Sequence, residues 1–203
     1  MKRFLLAISI LLMAATACTN GAQASKEAAQ KAVFDNIMTR TSVRQFTSEP
    51  VPAEVVEQML RAGMAAPTAM NAQPWEFVVL SDRDTLDKLA GKLRYAKMLQ
   101  QAPLAIVVCG KTKWLDWEGN ERENIFWVDD CSAATENILL AAHALGLGAV
   151  WTAAKDDRGA IVKEALGIPE DLSTLCVIAI GFPADNPTPK DKWKPEKIHY
   201  NRY

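Results

Sequence analysis

Four short apolar runs, separated by longer stretches with helical spacing, restrict the possible folds of this chain more than any other feature. Each run is rich in β-branched or aromatic residues and is bounded by turn or helix signals, which is typical of buried strands. Because these runs alternate with amphipathic segments, the sequence predicts an α+β domain in which a central sheet carries helices on both faces. The predicted strands cover residues 75–80, 104–109, 149–152 and 175–180.

Apolar residues at helical spacing predict the helices, and the clearest one covers residues 129–145. There Ala134, Ile138 and Leu145 share one side, and Gly146 is a typical stop signal. The pattern over residues 82–101 is also helical, with a break near Gly91. The other predicted helices cover residues 25–38, 52–64 and 157–166.

The start of the sequence has the pattern of an export signal. Lys2 and Arg3 precede a nearly continuous apolar run, and small residues precede Cys18. The run is shorter than the roughly 20 residues that a helix needs to cross a bilayer, which favours a cleaved signal over a lasting anchor. We therefore expect an exported protein, either periplasmic or anchored to the membrane through a lipid on Cys18. The expected parts are a signal over residues 1–17, a tether over 18–25 and one domain over 26–203.

Charge and cysteine content exclude several classes of protein. The net charge of −1 gives no general attraction to nucleic acid or to an anionic membrane, so we expect membrane contact only if Cys18 is lipidated. Cys109, Cys131 and Cys176 lie in apolar stretches without metal-ligand spacing. We therefore expect buried free thiols and no metal site.

The sequence lacks the motifs of two kinds of site, a serine-hydrolase site and a Rossmann dinucleotide-binding site. The sequence contains no Gly-x-Ser-x-Gly motif and only two histidines, His143 and His199, so a hydrolase has little support. The stretch Gly146-Leu147-Gly148 follows a predicted helix and opens a strand, which is the reverse of the order in a dinucleotide-binding turn. A Rossmann site is therefore not indicated.

The stretch Arg40-Thr41-Ser42-Val43-Arg44 concentrates two guanidinium groups and two hydroxyls at the end of the first predicted helix. A guanidinium group matches the oxygens of a phosphate, and hydroxyls supply further donors. The stretch therefore suits a phosphate group. A pair of arginines at a solvated helix end is the alternative, and the stretch alone does not decide between them.

Two further segments carry features that core packing does not require. The loop over residues 66–75 holds two prolines, a hydroxyl and two carboxamides, which suits the edge of a heterocycle or an ordinary capped connection. In the proline-rich tail, Lys192-Trp193-Lys194 places two ammonium groups on one face of an extended chain. Alone, these lysines are a surface charge pair.

Together these segments resemble the nitroreductase family of FMN oxidoreductases, in their order and spacing. The resemblance covers roughly residues 34–203 and depends on the set of motifs rather than on any single one. The matching stretches are Arg40-Thr41-Ser42-Val43-Arg44, Pro67-Thr68-Ala69 with Asn71 and Gln73-Pro74-Trp75, Gly146-Leu147-Gly148-Ala149-Val150-Trp151-Thr152, Gly181-Phe182-Pro183, and Lys192, Lys194 with His199-Tyr200-Asn201-Arg202.

The resemblance implies a mixed central sheet flanked by helices and an intertwined homodimer with two FMN molecules at the subunit interface. It also implies the cofactor-binding residues. The phosphate and ribityl chain would be held by Arg40, Thr41, Ser42, Arg44, Lys192 and Lys194. The second subunit would contribute Pro67, Thr68, Ala69 and Asn71, while Trp151, Thr152 and Ala153 would lie along the ring and Arg94 or Lys97 at its pyrimidine side.

The resemblance further implies an enzyme that reduces nitroaromatics, quinones or similar small acceptors in a ping-pong cycle. The donor would be NAD(P)H, although export would favour another donor because NAD(P)H is a cytoplasmic metabolite. The flavin carries the chemistry, so no side chain is named as catalytic. Two alternatives stay open: the same fold with another flavin reaction, such as dehalogenation or oxidation, and a non-catalytic lipid-anchored flavin-binding module.

The aromatic segment over residues 114–127 mixes tryptophans with charges and has no clean period, as an inserted flap would. Flat aromatic side chains stack on nitroaromatics and quinones, so Trp117 and Phe126 are candidates for substrate contact. They could equally form the packed underside of a flap or contacts between subunits.

Overall fold

The computed structural model describes Gln23 and residues 25–203. The chain divides into two compact units, Met1–Thr39 and Arg40–Tyr203. The described part of the first unit is a helix, α1, over residues 25–39, which confirms the helix predicted there. The expected signal over residues 1–17, Cys18 and most of the tether lie outside the described residues.

The second unit contains four α-helices and six strands in its described residues. Three short 3-10 turns, Ala69–Asn71, Lys97–Gln100 and Pro195–Lys197, complete it. The helices are α2 (Ala53–Met64), α3 (Arg83–Lys92), α4 (Trp127–Ala144) and α5 (Asp156–Leu166). The strands are β1 (Trp75–Leu80), β2 (Leu104–Lys111), β3 (Lys113–Leu115), β4 (Glu121–Glu123), β5 (Gly148–Ala153) and β6 (Leu172–Gly181).

The central sheet has the strand order β1-β2-β6-β5, and neighbouring strands in it are antiparallel. A parallel pairing is added at its β5 edge, where Ser42 bridges to Ala149. This bridge makes the sheet mixed, as the resemblance implied.

Alternate residues of the central strands enter two separate apolar cores, one on each face of the sheet. In β2, Ile106 and Val108 pack with residues of α2 and α4, whereas Ala105 and Val107 pack with residues of α3 and α5. Strand side chains point to opposite faces in turn, so a fully apolar run such as β2 requires cover on both faces. The predicted α+β layers are confirmed.

The helix predicted over residues 82–101 is shorter than expected. Asp82 caps its start by accepting a hydrogen bond from the Thr85 N–H at 2.9 Å. The helix ends at Lys92 because Leu93 adopts an extended backbone and buries its side chain in the core. The break near Gly91 was predicted, but the chain then forms a 3-10 turn instead of resuming the helix.

The segment predicted as an irregular flap contains a hairpin formed by β3 and β4. Asp116 organises its turn, accepting hydrogen bonds from the N–H groups of Glu118 at 3.0 Å and Asn120 at 2.8 Å. Arg122 also donates to this carboxylate at 2.8 Å. These short strands were missed because their exposed, charged residues carry no alternating apolar pattern.

The tail that follows β6 stays extended and exposed over most of residues 185–203. It leaves the sheet where the Ala184 N–H donates to the Gln45 carbonyl oxygen at 2.9 Å. Over the described residues, the structure has no helix with the length and apolar character needed to span a membrane.

Replacing Gly110 in β2 by alanine should destabilise the fold, because α4 packs directly over this position. A Cβ there would lie 2.7 Å from the Cys131 sulfur and 2.8 Å from the Trp127 ring. Overpacking of this kind costs about 1–3 kcal/mol. Urea unfolding measures the change. Gly91→Ala is the control, since a Cβ at Gly91 meets nothing within 4 Å, and equal stability of both variants would contradict the packing described.

Candidate functional site

The arginine-rich segment lies along the outer edge of β5. Ser42 forms a parallel bridge with Ala149, and the Val43 N–H donates to the Ala149 carbonyl oxygen at 3.1 Å. Val43 is buried and packs over Gly148, where a Cβ would lie 2.6 Å from the Cβ of Val43. This contact fixes the point at which Arg44, which is exposed, leaves the sheet.

Beside this bridge is an open cleft of about 310 Å³. It brings together residues predicted to bind the cofactor from two separate segments, the arginine-rich stretch and β5. Thr152 is buried, and its hydroxyl donates to the sulfur of Met98 at 3.9 Å, which joins β5 to a 3-10 turn. The residues that line the cleft are Arg44, Tyr95, Met98, Val150, Trp151, Thr152, Ala153 and Arg158.

The charged groups that line the cleft are positive. Among the described residues, the Arg44 guanidinium donates only to the Ser42 carbonyl oxygen, at 3.4 Å. In the described part of the chain, neither Arg44 nor Arg158 forms an ion pair with a carboxylate. Guanidinium groups without an internal partner favour an anion. Arg158 was not predicted, because the sequence marks it only as an early residue of a helix.

Arg94 lies next to a wall of the cleft. Its guanidinium carbon is 5.4 Å from the centre of the Tyr95 ring, a cation-π distance. Lys97, the alternative assigned with it, donates to the Ala90 carbonyl oxygen at 3.0 Å. The two cations therefore differ. Among the described residues, the Lys97 side chain is held by a backbone carbonyl, whereas the Arg94 side chain beside the cleft donates no hydrogen bond to the backbone.

Arg40 is engaged with α4 instead of the cleft. Its Nε lies 3.6 Å from Oε1 of Glu136, and its side chain is only 17% exposed. The pKa of His143 on the same helix is lowered by burial and by the nearby charge of Arg40. Arg40 therefore helps to attach the arginine-rich segment to α4. Arg44, in contrast, forms no ion pair with a carboxylate in the described part of the chain. Thr41 and Ser42 between them are half-buried.

The tail lysines do not line the cleft that holds Arg44. Lys192 and Lys194 are exposed, and among the described residues neither forms an ion pair with a carboxylate. Their assignment to the same phosphate as Arg44 stays a prediction.

The loop that connects α2 to β1 holds the other predicted cofactor residues in an unusual backbone conformation. Met70, Asn71 and Gln73 have positive φ angles of 52°, 55° and 48°. Few non-glycine residues adopt this region, and they persist there only when the surroundings impose it. Pro67 and Asn71 are exposed, which leaves this loop open to an outside ligand.

Hydrogen bonds close the loop on itself and tie it to α4. The Gln73 N–H donates to the Thr68 hydroxyl at 3.1 Å, and the Gln73 carboxamide donates to the Asn71 side-chain oxygen at 3.1 Å. The Ala69 N–H donates to Oδ1 of Asp130 at 2.8 Å. Asp130 was not predicted as a site residue, because on the sequence it is one of several acidic residues near a helix start.

The arrangement agrees with a comparison of the sequence to known families. The sequence profile described as "Nitroreductase family" matches residues 37–94 and 90–182, which include the arginine-rich segment, the loop and β5. The chain belongs to the nitroreductase family. The resemblance seen in its motifs is thereby confirmed.

Similar proteins match most of this chain. A provisionally named NADH dehydrogenase/NAD(P)H nitroreductase of Methanothermobacter thermautotrophicus is 39% identical over 84% of this chain and 87% of the relative. A crystal structure from Bacteroides thetaiotaomicron with the same provisional name is 49% identical, with a TM-score of 0.78 over 85% of this chain and 98% of that one. A structure from Clostridium difficile titled FMN-dependent nitroreductase is 28% identical, with a TM-score of 0.74 over 84% and 99%.

The predicted substrate residues lie at or beside the hairpin of β3 and β4. Trp117 is in the β3–β4 turn and is 92% exposed, so it is not part of a packed underside within its own subunit. Phe126, which directly precedes α4, is also exposed. Both positions allow contact with a substrate or with a second subunit.

The three thiols in the described residues are buried and free, as predicted. Burial raises the pKa of Cys109 to about 11 and those of Cys131 and Cys176 to about 12. A thiol reacts as its thiolate, so none of the three is a nucleophile near neutral pH. Over the same residues, no group of ligating side chains could hold a metal ion.

Proposed function

We propose that this member of the nitroreductase family is an FMN-dependent enzyme that moves reducing equivalents from NAD(P)H to small electron-poor acceptors such as nitroaromatics or quinones. The cleft beside β5 carries the proposal, because it combines two guanidinium groups that lack carboxylate partners with an aromatic wall. A cofactor with a phosphate and a flat ring matches both features. The printed names of the relatives, which include FMN-dependent and NAD(P)H nitroreductases, support the same reaction class.

The residues of this chain fit FMN with one change from the sequence prediction. Arg44 is the main phosphate donor, with Thr41 and Ser42 beside it, since Arg40 is already paired with Glu136. Residues 151–153 of β5 form the wall for the ring. The tail lysines complete the set of cations around the phosphate, and the loop over residues 67–71 reaches the flavin from a second subunit.

The chain contributes position and electrostatics, and it needs no acid or base of its own. When bound, FMN supplies a two-electron carrier that receives a hydride from one substrate and passes electrons to the next. Overall, a hydride from NAD(P)H and a proton from solvent convert a quinone into a hydroquinone and leave NAD(P)+. The cations of the cleft fix the cofactor, and the rigid edge of β5 sets the place where both substrates approach.

Purified protein loaded with FMN should lose its visible flavin absorbance when NADH or NADPH is added without oxygen. A quinone or nitroaromatic added afterwards should restore the absorbance, because the same carrier serves both half-reactions. Free FMN at equal concentration is the control. A chain that binds no FMN, or bound FMN that neither nicotinamide reduces, would contradict the proposal.

Arg44→Ala should raise the Kd for FMN about tenfold or more, because a charge-assisted phosphate contact is lost. The melting temperature of the apo protein should change by less than about 2 °C, since Arg44 is exposed. Fluorescence titration and thermal melting measure the two effects. Arg61→Ala removes an exposed guanidinium outside the cleft, and an equal loss of affinity in that variant would argue against a specific role for Arg44.

The loaded enzyme should be a homodimer. Helix α1 exposes large apolar side chains at Val33, Phe34, Ile37 and Met38. The tail exposes aromatic side chains at Trp193 and Tyr200. Exposed apolar surface of this extent favours an interface. Sedimentation equilibrium should give the mass of two chains, and a stable FMN-loaded monomer would exclude the shared site.

Export is also part of the proposal, on the pattern of residues 1–18. It bears only on the donor in the cell, because an exported enzyme would be separated from cytoplasmic NAD(P)H, whereas the purified protein is proposed to accept a hydride from NAD(P)H. Mass spectrometry of the N-terminal peptide from cells distinguishes cleavage before Cys18, with or without a lipid, from retention of the signal.

A further inference from the structure

We infer that Asp130 is a positioning residue that holds the loop over residues 68–73 in the shape that meets the flavin. The inference rests on the proposed function. It starts from the position of the carboxylate, in α4, where Asp130 is only 5% exposed. Burying a charge is costly unless the surroundings compensate it.

The compensation for the Asp130 charge comes from the backbone. Within residues 25–203, Asp130 forms no ion pair with an arginine, lysine or histidine. Its Oδ1 accepts the Ala69 N–H at 2.8 Å, and the positive end of the α4 dipole lies next to it. The main favourable partner of this carboxylate is therefore the loop itself.

Among the described residues, the same hydrogen bond is the only polar link from residues 68–73 to another part of the fold, and the next link along the chain is the Lys111 N–H donating to the Pro74 carbonyl oxygen at 2.9 Å. The described bonds of residues 68–73 otherwise stay inside the loop, such as Asn71 N–H to Thr68 at 3.2 Å and Ala72 N–H to Ala69 at 3.0 Å. These local bonds close the turn but do not fix its place on the protein. The bond to Asp130 spans 61 residues of sequence and does fix it.

The strained backbone explains why such a link is needed. The three residues with positive φ, Met70, Asn71 and Gln73, directly follow the anchored Ala69. Released from its anchor, a loop of this kind relaxes to commoner conformations. Its exposed face, which carries Asn71 and Gln73, would then no longer be held in position for a ligand.

The second carboxylate oxygen shows that Asp130 does not mainly serve stability. Oδ2 is buried and has no hydrogen-bond partner among the described residues. A buried charged group with an unsatisfied oxygen adds little net stability, or lowers it. The contribution of Asp130 is therefore to loop geometry.

Two variants of Asp130 and one neighbouring control test the inference. Asp130→Ala removes the acceptor, whereas Asp130→Asn keeps an oxygen for the Ala69 N–H. Asp129→Ala is the matched control, because Asp129 belongs to the same turn of α4 but is exposed. Each is measured in full-length protein by FMN fluorescence titration, hydrogen exchange of the peptide over residues 66–74, and thermal melting.

The three variants should differ in how strongly they weaken FMN binding and loosen the loop. Asp130→Ala should raise the Kd for FMN about tenfold and speed exchange in residues 66–74 by a similar factor, with exchange in β2 and β6 unchanged. Asp130→Asn should recover most of the affinity, and Asp129→Ala should match the wild type. Wild-type affinity and exchange in Asp130→Ala would overturn the inference, as would faster exchange spread evenly over the sheet.

The outcome separates this inference from the proposed function. If the wild-type protein binds no FMN, the proposed function fails, and the exchange measurement still decides whether Asp130 holds the loop. If the wild type binds FMN and Asp130→Ala binds it equally well, only the inference fails. If Asp130→Ala does not fold, Asp130→Asn supplies the test, because exchange in residues 66–74 as slow as wild type is expected.

Discussion

The contact between Val43 and Gly148 is the constraint on which the site depends. Because position 148 has no side chain, Val43 can lie against the start of β5 and form the parallel bridge beside it. The bridge brings a segment from before α2 to the edge strand that follows α4. Without it, Arg44 and the wall of β5 would not share a cleft.

Much of the fold could be predicted, because both sheet faces are covered. A strand such as β2 is apolar along its length, and long helices such as α4 repeat apolar residues on one side, so periodicity identifies both. The hairpin of β3 and β4 was missed since it is held by polar bonds to Asp116 rather than by a buried face. The spacing of apolar residues gives no signal for such hydrogen bonds.

The site was predictable only where a motif is local. Arg44 and residues 151–153 were predicted as cofactor-binding residues from their motifs, and the structure places all of them in the lining of one cleft. Arg158, the pairing of Arg40 with Glu136, and the bond from Ala69 to Asp130 join residues far apart in sequence. Such contacts depend on how the helices pack against the sheet, and a single sequence contains no pattern that predicts them.

The buried cysteines have a consequence for where the enzyme can work. Cys131 and Cys176 belong to the core under α4, and Cys109 to the core on the opposite side. None is exposed to a solvent oxidant, and each stays protonated at ordinary pH. The folded chain therefore tolerates reducing and oxidising compartments alike, without cross-linking between molecules through these sulfurs.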